Sequence, residues 1–344
     1  MRALEAREIA FRVGRATGPA LKAADTLMAR GENLITKWWL ARLIRRAVAI
    51  ENDAAALAWL ERLRTATADG AWSILPEGDG ILYMASHMWP ARLRPATSAA
   101  ALVQGARDPA QPLFFYVAGG GFMLPPTPRQ KAIADDIAAG FDAVAVMGEH
   151  RLAPENPFPL PVEDLCDHYL SLVGEGHAPS RIVVGGDSAG ATLLLSMLVE
   201  LRGRGAPMPA GALLFSPWTD LAMRGWSYVT KGVSSDSPFR METAAFAARL
   251  YLGETLPTDP AASPAYAELQ GFPPIAVHCS RHDMHFDDAV RLAEQADAAA
   301  VPVRVNYWDS PRHHLERFRS RQARQSIALA AGIAKGWIDS GCKR

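Results

Sequence analysis

A serine stands between two glycines at residues 186–190, where the chain reads Gly-Asp-Ser-Ala-Gly. A run of β-branched residues, 182–184, precedes this turn, and a stretch of helical pattern follows it. A serine hydroxyl attacks a carbonyl carbon only when a base removes its proton and when it projects into a cleft. A tight turn between strand and helix provides that projection. The pattern predicts Ser188 as a nucleophile, and the plain alternative is a glycine-rich turn capped by serine.

Three successive glycines, residues 119–121, follow a second apolar run at residues 113–117. Backbone N–H groups that carry no side chain beside them can face a ligand, which is what an oxyanion site requires. Ala189 opens the helix after the nucleophile and offers one more backbone N–H group. Beside a nucleophile we interpret the triplet as part of an oxyanion site, whereas alone it would indicate a flexible turn.

A serine hydrolase of this type also needs a base and an acid that orients the base, and both follow the nucleophile along the chain. Residues 278–288 follow an apolar run and contain several His and Asp side chains. Asp283 is the first carboxylate after that run, whereas Asp287 and Asp288 lie where carboxylates cap a following helix. We therefore predict Asp283 as the acid.

Residues 308–314 follow the next apolar run and end in two consecutive histidines, His313 and His314. Both segments are expected at the same edge of the sheet as Ser188, because loops after parallel strands meet there. One of the two imidazoles is expected to reach Ser188 as a general base, and its neighbour is expected to point elsewhere. Spacing alone does not decide between them.

The histidines around Asp283 also raise the alternative of a metal site. Histidines four residues apart beside a carboxylate can bind zinc when the segment is helical. His278 ends a predicted strand and His282 lies in the loop after it, so the helical register fails. We expect structural or solvated roles for His278, His282 and His285, and we predict neither a metal nor another cofactor.

Apolar, strand-like runs alternate with helical stretches from about residue 113 onward. The strand-like runs are residues 113–117, 143–146, 182–184, 212–215, 275–277 and 303–307. The helical stretches include residues 161–173, 191–202 and 287–299. This alternation indicates an α/β fold with a mostly parallel sheet that is covered by helices.

Composition narrows the functional classes. The 344 residues allow one large domain or two ordinary ones, and 49% hydrophobic against 21% charged residues excludes a mostly disordered chain. Lys and Arg together equal Asp and Glu at 36 each, so no excess of positive charge indicates a nucleic-acid partner. The three cysteines lie far apart, so their spacing indicates no disulfide framework. No apolar run approaches the roughly 18–20 residues that span a bilayer. We expect a cytoplasmic protein.

The first 70 residues are helical in pattern. Residues 38–48 form an amphipathic, basic segment that begins with two tryptophans. Such a helix can lie on a lipid surface, but packing on its own domain with a solvated arginine face is the commoner arrangement.

These motifs together resemble the hormone-sensitive-lipase-like branch of the α/β-hydrolases, which are serine esterases with a helical cap. The resemblance covers residues 113–318. Besides the serine motif, it includes Arg-Leu-Ala-Pro-Glu-Asn-Pro-Phe-Pro at 151–159, Ser-Pro-Trp-Thr-Asp-Leu at 216–221 and Gly-Phe-Pro-Pro at 271–274.

The resemblance implies an α/β-hydrolase fold and a set of residue roles. Its catalytic triad would be Ser188, Asp283 and His313, and its oxyanion donors would be the backbone N–H groups of Gly120, Gly121 and Ala189. The cap would comprise residues 1–70 and an insertion at about 220–256, and the remainder of 71–344 would be catalytic.

The implied reaction is hydrolysis of small to medium, largely apolar carboxylic esters through an acyl-enzyme, with aromatic residues of the cap lining the pocket: Trp38, Trp39, Trp226 and Tyr228. An amidase would use the same triad, and some relatives are non-catalytic ligand receptors that have lost a triad residue. The sequence leaves open whether the protein forms a homodimer.

The chain departs from the family at two positions. Ala118 stands where the family's oxyanion motif begins with a histidine that braces the glycine loop. Losing one bracing hydrogen bond would cost about 1 kcal/mol in preorganisation. His150 stands where relatives carry an aromatic residue, and we expect a structural role for it.

Overall fold

The computed structural model of the protein describes residues 108–231 and 241–341. The predicted helical segment 1–70, with its basic stretch 38–48, lies outside the described residues. So does part of the predicted insertion at 220–256.

Six strands of the described residues form one parallel sheet in the order β2-β1-β3-β4-β5-β6. They are β1 (Leu113–Val117), β2 (Val144–Met147), β3 (Ile182–Asp187), β4 (Gly211–Phe215), β5 (Ile275–Ser280) and β6 (Val303–Trp308). Each predicted apolar run overlaps one of these strands, and only the run 143–146 begins outside its strand, by one residue. The predicted α/β class with a parallel sheet is confirmed.

Seven α-helices of the described residues connect or follow the strands. They are α1 (Pro128–Ala139), α2 (Leu160–Gly174), α3 (Ala189–Gly203), α4 (Trp226–Thr230), α5 (Met241–Leu252), α6 (Phe286–Ala298) and α7 (Arg321–Gly341). Short 3₁₀ turns occur at Pro179–Arg181, Pro264–Tyr266 and Leu315–Arg317. None of the helices in the described ranges is both long and apolar enough to cross a membrane.

Strand β3 continues three residues beyond its predicted end. Glycine is depleted in strands because it offers no side chain to pack, so the apolar run indicates an end before Gly185. In the structure Gly186 lies in the ladder opposite Val117 of β1 and Leu214 of β4. The turn that carries Ser188 therefore begins directly at the edge of the sheet.

The core lies on both sides of the central strands, as uniformly apolar strands require. Phe114 and Tyr116 of β1 belong to a buried cluster with side chains of α1 and α7, whereas Phe115 contacts α2 through His168 and Tyr169. Strands β1, β3, β4 and β5 are buried throughout. Strand β6 is partly exposed because it is the edge of the sheet.

Gly190, in the first turn of α3, is needed because the helix starts very close to the end of β1. A Cβ atom there would lie 2.2 Å from the carbonyl oxygen of Val117 and 2.7 Å from the carbonyl carbon of Ala118. We expect Gly190→Ala to lower the free energy of unfolding by about 1–3 kcal/mol, the usual cost of overpacking. Urea unfolding followed by circular dichroism measures this.

Gly203 provides the matched control, since it ends the same helix and a Cβ atom there would have no heavy atom of a neighbouring group within 4 Å. We expect Gly203→Ala to leave stability unchanged or to raise it by up to about 1 kcal/mol, because alanine loses less backbone entropy in a helix. Equal effects of the two variants would contradict the close approach at Gly190.

Candidate active site

Ser188 occupies a strained turn between β3 and α3. Its backbone φ is 52° and its ψ is −122°, a region that residues other than glycine rarely adopt. Such a conformation costs about 1–3 kcal/mol and persists only where its surroundings hold it. Here the Ser188 N–H donates to Phe215 O at 3.0 Å, and Ser188 O accepts from Trp218 N at 3.3 Å. The turn predicted for a nucleophile is therefore present.

Asp283 and His313 lie together after the neighbouring strands β5 and β6. Nδ1 of His313 is 2.8 Å from Oδ2 of Asp283, and both side chains are almost fully buried. Burial alone raises the pKa of Asp283, but the adjacent His313 and further hydrogen bonds outweigh it and hold that pKa well below its usual range. Burial lowers the pKa of His313, and the Asp283 charge more than compensates, so that this pKa is raised. The pair is arranged as an acid that orients a base.

His314 faces a different set of groups from His313. Its backbone is left-handed, with φ 50° and ψ 67°, and its side chain is buried. Nδ1 lies 2.9 Å from Oδ2 of Asp187, and Nε2 lies 3.9 Å from Oε2 of Glu316. The two consecutive imidazoles thus contact different carboxylates, and it is His313 that contacts the predicted acid.

His285 is a second imidazole on Asp283, although its sequence context predicts only a structural or solvated role. Its Nδ1 lies 3.2 Å from Oδ1 of Asp283, and its backbone N–H donates to the same oxygen at 3.1 Å. Its ring centroid is 4.9 Å from that of His313, and burial lowers its pKa. An aspartate that accepts the N–H two residues onward is a common turn, so the Asp-x-His spacing could have indicated this contact.

The side chains of the other singled-out histidines have partners elsewhere. His278 is buried, with Nδ1 2.7 Å from Oγ of Ser326. His282 is exposed, with Nε2 2.6 Å from Oδ1 of Asp309. Nδ1 of His150 lies 2.9 Å from the carbonyl oxygen of its neighbour Arg151.

Asp283, His285 and His313 form the one group of three possible metal ligands found within residues 108–231 and 241–341, with ligand atoms within 4.8 Å of one another. This set differs from the histidine cluster considered as an alternative, because His278 and His282 are not in it. Both Nδ1 atoms lie at hydrogen-bond distance from the carboxylate, so protons on those nitrogens account for the geometry.

For the ester hydrolysis that the resemblance implies, we expect turnover to survive exhaustive chelation, because a nucleophile, a base and an acid of these types need no metal. The measurement is the rate of ester hydrolysis before and after prolonged dialysis against EDTA. Loss of the rate that zinc then restores would instead identify the Asp283 group as a metal site.

The glycine loop turns sharply after β1. Gly121 and Phe122 both have left-handed backbones, with φ of 59° and 66°, and Gly120 O accepts from Leu124 N at 3.0 Å. The N–H groups of Gly120, Gly121 and Ala189 donate no hydrogen bond to another residue of the described chain. These are the three N–H groups predicted as oxyanion donors.

Aromatic side chains pack beside the glycine loop. Phe122 stacks on Tyr251 with ring centroids 4.0 Å apart, and Trp218 lies 5.3 Å from Phe122. Of the aromatic residues predicted to line the pocket, Tyr228 is buried against His285, Trp226 is 72% exposed, and the other two lie outside the described residues.

Comparisons with known proteins identify the family of the fold. The chain matches the family of the alpha/beta hydrolase fold over residues 114–316. An acetyl-hydrolase of Streptomyces hygroscopicus is 34% identical over 70% of this chain and 81% of its own length. A carboxylesterase of Mycobacterium tuberculosis is 34% identical over 65% of this chain and 72% of its own length. The solved structure of an esterase from the bacterial hormone-sensitive lipase family has a TM-score of 0.66 and 32% identity, and covers 81% of this chain and 98% of that one.

Proposed function

Since this chain belongs to the hormone-sensitive-lipase-like esterases of the alpha/beta hydrolase fold, we propose that it cleaves carboxylic esters with a triad of Ser188, His313 and Asp283. The observation that carries the proposal is the His313–Asp283 pair after the strands β5 and β6: Nδ1 of the largely buried His313 lies 2.8 Å from Oδ2 of the buried Asp283. The strained turn of Ser188, at the end of β3, supports it.

In the proposed reaction, His313 takes the proton of Ser188 as Oγ attacks the ester carbonyl carbon. Asp283 holds the imidazole in the required tautomer and stabilises the imidazolium that forms. The N–H groups of Gly120, Gly121 and Ala189 bind the oxygen on which negative charge develops.

The ester C–O bond then breaks, and His313 gives its proton to the leaving alcohol. A water molecule, deprotonated by the same imidazole, attacks the acyl carbon. The bond between that carbon and Oγ of Ser188 breaks, and Oγ takes the proton back from His313 as the acid is released. Every proton in this cycle passes through His313, so its orientation by Asp283 governs both halves of the reaction.

The test is hydrolysis of p-nitrophenyl esters with acyl chains from C2 to C8 by the purified protein and by Ser188→Ala. We expect turnover by the native protein and a loss of at least about 10³-fold in the variant, because the nucleophile is absent. No difference between the two proteins would overturn the triad. Parallel assays with p-nitroanilide analogues of the same acyl groups distinguish an esterase from an amidase, and absence of turnover with ligand binding retained would identify a receptor.

We propose small to medium, uncharged esters as the substrate class. The aromatic rings of Phe122, Tyr251 and Trp218, which pack together beside the glycine loop, support an apolar acyl or alcohol site. The equal numbers of acidic and basic residues support an uncharged substrate and no nucleic-acid partner.

Three further expectations stay proposals. We propose that residues 1–70 and about 220–256 form a cap over the catalytic domain, and that the protein works in the cytoplasm. Cys166 and Cys279, both buried free thiols whose pKa burial raises to about 12, support a compartment in which no disulfide is needed. The third proposal is a homodimer, which light scattering of the full chain would test.

A further inference from the structure

A buried carboxylate joins the glycine loop to the turn of Ser188. Oδ1 of Asp187 accepts the phenol O–H of Tyr116 at 2.7 Å and the backbone N–H of Gly119 at 2.9 Å. All three residues are buried. Asp187 precedes the proposed nucleophile, so this carboxylate fixes the distance between the nucleophile turn and the start of the oxyanion loop.

Gln130 completes this cluster from helix α1. Its side-chain N–H₂ group donates to Gly119 O at 2.8 Å and lies 3.1 Å from each carboxylate oxygen of Asp187. Its side-chain oxygen accepts the backbone N–H of Thr127 at 2.9 Å, and its own backbone N–H donates to Oγ1 of Thr127 at 2.9 Å. The fully buried amide is therefore held at one end by the helix cap and grips the glycine loop at the other.

The glycine loop packs closely against the residue that precedes the Ser188 turn. A Cβ atom on Gly119 would lie 2.4 Å from the backbone oxygen of Asp187 and 2.7 Å from its Oδ2. A displacement of Gly119 would therefore change its contact with Asp187 and shift the N–H groups that follow in the loop.

We propose that Gln130 is a positioning residue that braces the oxyanion loop, in the role that the resemblance assigns to a histidine at position 118. Ala118 offers no polar side chain, and Gln130 reaches the adjacent Gly119 from helix α1. The proposal rests on the proposed function, because bracing matters only if these N–H groups stabilise an oxyanion. A displacement of about 1 Å in such a site costs up to about 10²-fold in rate.

A helix-capping role and a bracing role predict different tolerance at residue 130. Glutamate completes a capping box as well as glutamine does, but it has no N–H to donate to Gly119 and adds a charge beside Asp187. The added charge lowers stability in either case, so the two roles differ in rate: a residue that only caps α1 would keep its kcat per titrated site in Gln130→Glu, whereas a brace would lose it.

The experiment compares Gln130→Glu, Gln130→Met and the capping control Thr127→Ala on p-nitrophenyl butyrate. Rates are normalised to the sites titrated by a fluorophosphonate probe, and the melting temperature of each variant is recorded. We expect both Gln130 variants to lower kcat by about 10- to 100-fold, with KM changed by less than about threefold. Thr127→Ala should lower the melting temperature while keeping kcat within about twofold.

Two results would overturn the brace. One is a kcat within about twofold of the native value in Gln130→Met, which keeps the length of the side chain without its donors. The other is a gain of more than about threefold on Ala118→His, which would show that the native loop lacks a brace. If the native protein itself shows no Ser188-dependent turnover, the proposed function fails, and that outcome is seen before any Gln130 variant is measured.

Discussion

Replacement of His313 by alanine is expected to lower kcat for ester hydrolysis by about 10²- to 10⁴-fold while the protein stays folded. The imidazole is proposed to take the proton of Ser188 and to return it to the leaving alcohol, and a positioned general base contributes about 10²- to 10⁴-fold. Its Nδ1, 2.8 Å from Oδ2 of Asp283, ties it to the acid. Single-turnover and steady-state rates with p-nitrophenyl butyrate measure the loss.

His314→Asn is the matched control for this prediction. Asparagine tolerates the left-handed backbone of residue 314 better than alanine does and keeps a side-chain donor toward Asp187. We expect this variant to keep kcat within about tenfold and to show a lower melting temperature, because a fully buried imidazole is replaced by a smaller group. The reverse pattern would assign the base to His314.

Asp283→Asn is the second change with a large expected effect. The amide can present an N–H₂ group to Nδ1 and so favour the wrong tautomer of His313, and we expect a loss of about 10³- to 10⁴-fold in kcat. Asp287→Asn, four residues along in the first turn of α6, is the matched control and should keep kcat within about threefold. Equal losses in the two variants would contradict the assignment of the acid.

The pH dependence of kcat/KM gives a second test of Asp283, with a direction of shift that can be worked out. His313 acts as a base only when neutral, so kcat/KM should fall as pH drops through its pKa. Although burial lowers that pKa, the Asp283 charge raises it overall above the ordinary value of 6.5, so the acid limb of the native profile should lie above pH 6.5. In Asp283→Asn the burial remains and the charge is gone, so the limb should move to lower pH. A limb that stays in place would show that Asp283 does not set the pKa of the base.

Much of the fold can be predicted because its signals are local. Each strand is an apolar run bounded by glycine, proline or polar residues, and the order along the chain follows from the alternation with helices. The same local logic predicts Ser188 from its glycine-bounded turn between strand and helix, and Asp283 as the first carboxylate after a buried strand. It places the end of β3 too early, since the ladder pairing of Gly186 depends on two other strands rather than on its own propensity.

The choice between His313 and His314 needs the structure. The two residues have the same chemistry and adjacent positions, and the left-handed backbone of His314 sends their side chains to different carboxylates. The resemblance favours His313, but no local property of the sequence predicts that backbone. Sequence patterns do not predict the contact of Gln130 with Asp187 either, because 57 residues separate the two.

The sequence predicts where Asp287 and Asp288 lie, but not which groups their carboxylates bind. Both lie in the first turn of α6, as the sequence predicts. However, Oδ2 of Asp287 accepts Ser227 N, and Oδ2 of Asp288 accepts Thr219 N, so these carboxylates bind the segments that follow β4. Burial raises the pKa of Asp288 to about 7. The composition of a helix N-terminus predicts that acids occur there, but not which chain segment they hold.

The carboxylate of Asp187 is shared by groups from separate parts of the chain. Tyr116 comes from β1, Gln130 from α1 and His314 from the loop beside the proposed base, and all three lie within 3.1 Å of its two oxygens. Groups that share one partner do not contribute independently, and coupling energies in such networks reach about 0.5–3 kcal/mol. Substitutions at these positions should therefore be non-additive in pairs, and evolutionary change at one of them constrains which residues the others can accept.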